Sequence, residues 1–79
     1  MTSDKIDGTI YGFPPGMSQP SLRALLGAGH TRLEQLTTVA AADLLALHGM
    51  GPKGIRLLRE ALAARGLSFA GESGNRVSS

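Results

Sequence analysis

The run from Leu44 to Ile55 constrains this chain more than any other stretch. It reads as an apolar helix end, a Gly-x-Gly turn at Gly49-Met50-Gly51, and a second helix opened by Pro52. The two glycines are expected to let the backbone turn sharply through positive φ, and they leave its amides uncovered by side chains. Pro52 suits the first helical position, because its φ is already helical and its missing N–H would have been an orphan there. The amides that follow point out of a positive dipole end, where a phosphate is readily held. Lys53 adds a mobile positive charge at that spot.

The rest of the composition narrows the alternatives. The chain has 79 residues and no cysteine, so neither disulfides nor thiolate-bound zinc can staple it. A single small domain must then rely on dense aliphatic packing. Leucine and alanine dominate and aromatics are scarce, which favours helices over a sandwich of sheets. No apolar run approaches the roughly 18 residues of a membrane span. The first seven residues lack a basic start followed by an apolar stretch, so a cytoplasmic protein without a secretory signal is expected. The formal net charge is only +2, but Lys53, Arg56, Arg59 and Arg65 face Glu60 alone between Pro52 and Gly66.

An arm, a core and a tail are expected. Residues 1–17 carry Gly8, Gly12, Pro14, Pro15 and Gly16, which predict an extended or turning arm anchored by Phe13 and Met17, with Ile10 and Tyr11 as further contacts. Residues 18–69 form the domain, and 70–79 read as a disordered tail of Gly, Ser, Asn and charge. Four helices fit the core. Ser18 is a suitable N-cap, and Pro20 falls in the first turn of a helix burying Leu22, Leu25 and Leu26 until Gly27 and Gly29 end it. Thr31 and Glu34 have capping-box spacing before a short helix that turns Leu33 and Leu36 inward. A third helix runs from Ala40 or Ala41 to Leu47 around Leu44, Leu47 and Leu45. The fourth runs from Pro52 to Arg65 with Ile55, Leu58 and Leu62 inside, and Gly66 is its left-handed C-cap. No strand pattern survives, so an all-α bundle of about four short helices follows.

The layout from Leu44 to Ile55 is that of a helix-hairpin-helix motif. From about Met17 to Gly71 the chain resembles the C-terminal domain of the bacterial RNA polymerase α subunit. The likeness is carried by Leu44-Leu45, by Met50-Gly51-Pro52-Lys53, and by Ala64-Arg65-Gly66-Leu67-Ser68-Phe69 through Gly71. The resemblance implies a compact, SAM-domain-like helical fold that binds promoter DNA and contacts transcription activators. It also implies phosphate contacts at Gly51 and Lys53. Where that family places its principal DNA-reading arginine this chain has Pro20, and the nearby asparagine position holds Arg23. The α subunit's assembly domain has no counterpart in these residues, so a stand-alone bacterial relative is expected.

The candidate nucleic-acid-binding residues are Gly49, Gly51, Lys53, Gly54, Arg56 and Arg23. Each has a plainer reading. Gly49 and Gly51 also suit a tight turn with no ligand, and Lys53 also suits a solvated surface. Gly54 costs about 1 kcal/mol relative to alanine inside a helix, so either a neighbouring helix or a phosphate backbone passes close to it. Arg56 and Arg59 extend a basic track or are ordinary surface charge, with Arg56 near Glu60. His48 falls in the turn, and His30 is expected to help end the first helix. Neither has partners at metal-ligand spacing, so no metal and no cofactor are expected. No nucleophile–base signature and no phosphate-binding P-loop spacing is present, so catalysis is not expected.

Two functions remain. One is a monomeric module gripping duplex DNA by its phosphates, contacts that carry no sequence information directly. The other is a protein-interaction module of the transcription or repair machinery, built on the same fold.

Overall fold

Ser18 ends the arm and starts the first α-helix. Its side-chain oxygen accepts from the Ser21 amide at 3.2 Å, and Pro20 occupies the first turn. The computed structural model describes residues 6–72, and these are all-helical: a 3₁₀ segment Gly8–Tyr11, α1 Gln19–Gly27, a second 3₁₀ segment Leu33–Thr38, α2 Ala41–Leu45 and α3 Pro52–Ala64. No described helix is long and apolar enough to cross a membrane.

Eleven buried apolar side chains form one core, drawn from every helical element except the first 3₁₀ turn. The stripes expected from helical spacing supply most of it: Leu22 and Leu25 from α1, Leu33 and Leu36, Leu44, then Ile55, Leu58 and Leu62 from α3. Phe13 and Phe69 close the core from outside the α-helices. The C-terminus of α3 is a Schellman turn. Gly66, at φ +74°, donates to the Ala63 carbonyl at 3.0 Å, and Leu67 donates to Leu62 at 2.8 Å. The same pairing ends α1, where Gly29 donates to Leu26 and His30 to Leu25, so His30 does help terminate that helix.

Several expectations are corrected. Of the extended or turning arm expected, the turning form holds at Gly8–Tyr11, which winds into a 3₁₀ turn capped by Asp7. Gly8 makes this possible by being buried against Leu22, whose Cδ2 would lie 2.6 Å from an added Cβ. Gln19 then ties the arm to α1, its side chain accepting from the Ile6 amide and donating to the Ile6 carbonyl. Ile10 does not pack, being 72% exposed. The second helix is 3₁₀ rather than α, and its cap is one-sided and lies one residue further on. Gln35 Oε1, not Glu34, accepts from the amides of Thr31 and Arg32 at 2.6 and 2.9 Å. Leu45 faces outward, 45% exposed. Of the segment expected to be a tail, Ala70 donates to the Val39 carbonyl and Glu72 pairs with Arg59, while 73–79 lie outside the described residues.

Two predictions follow from this packing. Leu58 is fully buried, so Leu58→Ala should cost about 2–5 kcal/mol in denaturant titrations; a nearly neutral result would mean that α3 faces the core differently. The second concerns pH. Thr9 holds the Asp7 carboxyl below its usual range, Glu34's own amide and then Arg65 do so for Glu34, and Arg59 for Glu72. Depressed folded pKa values contribute stability that is present at neutral pH and lost as pH falls through them. These groups are exposed, so stability should stay flat from about pH 8 to 5 and decline gently below about pH 4. A steep loss already at pH 6 would contradict this.

Candidate nucleic-acid interface

Between α2 and α3 the chain makes two successive tight turns. Leu47 donates to the Leu44 carbonyl at 2.9 Å, and Met50 to Leu47 at 3.0 Å. Met50 is buried beneath the turn, while Gly49 lies at the surface with φ +97°. A Cβ on Gly49 would sit 2.7 Å from the Pro20 carbonyl oxygen. This glycine is therefore demanded twice, by its left-handed backbone and by the close approach of the first turn of α1.

Gly51 differs. Its φ of −129° is open to any residue, and nothing lies within 4 Å of an added Cβ. The expectation that both glycines take positive φ holds for Gly49 alone. Gly51 is the N-cap of α3, and no side chain caps that helix. Pro52 has no N–H, and Ile55 donates back to the Gly51 carbonyl at 3.1 Å. Among the described residues, the amides of Gly51, Lys53 and Gly54 find no protein acceptor. These are the unpaired donors at the positive end of a 13-residue helix. Lys53 is exposed beside them and forms no ion pair among the described residues.

Gly54 has a structural cause of its own. It is buried, and a Cβ there would meet Met50 Sδ at 2.9 Å and Ser21 Oγ at 3.2 Å. The neighbour that approaches it is protein, not a ligand, and only its amide remains at the open helix end.

The basic track shortens. Arg59 is bound to Glu72, with Nη2 2.7 Å from Oε2, and lies over the buried Phe69 ring at 5.6 Å from its centroid. Arg65 is paired with Glu34. Lys53 and Arg56 are left as the exposed α3 cations without a described ion pair. Arg23 is exposed on α1 and joins Pro20, Ala24, His48 and Gly49 around an open cleft of about 350 Å³. Arg23 thus shares one concave surface with His48 and Gly49, which lie far from it in sequence.

Ser21 belongs to this corner without standing out in the sequence. It is the most buried polar residue among those described and hydrogen-bonds the turn, whereas the buried Ser68 hydroxyl has no partner among them. A serine one turn before Leu25, on the inward face of α1, was the available signal.

No protein-family model, curated relative or solved structure matches this chain. Its functional reading rests on its own geometry.

The two glycines should behave oppositely. Gly49→Ala should destabilise by more than about 1 kcal/mol, through left-handed strain and the contact with Pro20. Gly51→Ala should cost no more than about 1 kcal/mol, the difference between glycine and alanine at an N-cap. Thermal and denaturant unfolding of both variants checks this; equal losses would show that the turn is built differently.

Proposed function

We propose that this chain is a small, non-enzymatic helix-hairpin-helix module, similar in arrangement to the polymerase α C-terminal domain, that grips the phosphate backbone of double-stranded DNA. The observation that carries the reading is the uncapped start of α3. Gly51 leaves open space over its backbone, and among the described residues three amides lie unengaged beside a lysine without an ion pair. Helix α1 differs in that the Ser18 side chain accepts from the Ser21 amide. Phosphate suits such an end because the amides donate to it and the helix dipole favours its charge. Lys53 supplies a point charge, and Arg56 and Arg23 supply further cationic contacts. Backbone contacts of this kind position a protein on DNA without reading bases. With Pro20 where an arginine would reach a groove, binding largely without sequence preference is the expected behaviour. We place this monomeric module in the cytoplasm of a bacterial cell.

The second reading is a docking module for a protein of the transcription or repair machinery. It is favoured by Ile10 and Leu45, which lie exposed at 72% and 45%.

An amide-shift titration with a short duplex at two salt concentrations separates the two. Gly51, Lys53, Gly54 and Ile55 should shift most. With two to four phosphates engaged, the log–log salt slope should be roughly −2 to −4 and the affinity about 10⁻⁴ to 10⁻⁶ M. Lys53→Glu should weaken all duplexes about equally and leave the fold intact, because an acid in the first turn suits the dipole. A turn that stays silent towards duplex, with Lys53→Glu changing nothing, overturns the reading. A protein partner shifting Ile10 or Leu45 instead would establish the second.

A further inference from the structure

Ser21 is 3% exposed, and its hydroxyl stands between two parts of the molecule. It accepts from Ser18 Oγ at 2.9 Å and donates to the Gly49 carbonyl at 3.2 Å. The Ser18 oxygen also accepts the Ser21 amide, so the cap of α1 and the α2–α3 turn are joined in one relay. The same Ser21 oxygen, together with Met50 Sδ, occupies the space that Gly54 leaves by lacking a side chain. One buried hydroxyl therefore touches both ends of the Gly49–Gly54 stretch. Two residues further along α1 is Arg23, on the cleft that Gly49 and His48 also line.

Resting on the phosphate-binding reading, we propose that Ser21 is a positioning residue. It fixes the open amides of α3 and Lys53 relative to Arg23, so that α1 and the turn engage one backbone as a unit. A site of this kind loses strength when its supporting contacts let the groups drift by about an ångström. The hydroxyl itself meets no ligand.

The test compares wild type, Ser21→Ala and Ser21→Cys in the full chain, at a temperature where each is folded. Ser21→Cys keeps a weak S–H donor in nearly the same volume, and it carries the test should Ser21→Ala not fold. In the free protein, Ser21→Ala should speed hydrogen exchange at the Met50 and Ile55 amides and leave Leu58 and Leu62 protected. Its affinity for a short duplex should fall about five- to tenfold, the scale of one ordinary hydrogen bond, with Ser21→Cys in between. Lys53→Gln should weaken binding in wild type but do less than half as much, as a fold-change, in Ser21→Ala. A purely structural role would not produce this last effect. Faster exchange with affinity and the Lys53 effect unchanged would overturn the proposal while leaving phosphate binding intact. Unchanged exchange at the turn would overturn it as well. A wild-type turn silent towards duplex would remove the phosphate reading and the proposal together, whatever the exchange data show.

Discussion

The approach that organises this molecule is backbone on backbone. The Pro20 carbonyl lies so near Gly49 that no side chain fits between them. That contact brings the first turn of α1 against the α2–α3 connection, and Ser21 and Met50 fill the space beneath it. With this corner fixed, α3 leaves in a direction that buries Ile55, Leu58 and Leu62 against the leucines of α1 and the second 3₁₀ segment. Glycine is needed because dispersion and hydrogen bonding at such short range tolerate almost no added volume. The chain has no disulfide and little aromatic bulk, so closeness of approach does much of the work that larger side chains do elsewhere.

The same corner determines which groups are left for a partner. Phosphate recognition asks for donors that are held in place but not already satisfied. Among the described residues, folding pairs the amides of Ala46, Leu47 and Met50 and leaves those of His48 and Gly49 open together with those at the start of α3. It also draws Arg59 and Arg65 into ion pairs with Glu72 and Glu34. Positive charge without a described partner is thereby concentrated on Lys53, Arg56, Arg23 and Arg32. The exposed pairs contribute little to stability, but they take Arg59 and Arg65 out of the unpaired positive charge of the described residues.

What could be read in advance divides along physical lines. Leucine stripes, the Ser18 cap and the Gly66 terminus are local or periodic signals, and the structure keeps them. The facing of Leu45 was not legible, because a five-residue helix is too short for periodicity to fix its phase. Glu34 and Gln35 both stand near capping distance, and the tighter 3₁₀ winding selected Gln35. That winding is reinforced by Thr37 and Thr38, whose hydroxyls donate back to the carbonyls of Glu34 and Gln35. For the site, Gly51, Pro52 and Lys53 were legible as a motif. The left-handed turn at Gly49 and a close neighbour at Gly54 were legible too, but not which groups come close, since Pro20 and Ser21 lie more than 25 positions earlier in the chain.

Phe69 has a consequence for the life of the chain during synthesis. It is among the largest fully buried side chains, yet it follows every helix. A ribosome adding about 5–20 residues per second needs roughly 2–10 s to go from Leu22 to Phe69. Over that interval the leucines of α1 and the second 3₁₀ segment exist without their final cover. The nascent fragment is then an apolar surface open to chaperones and proteases, and completion of this small domain is a race that its last aromatic ring ends.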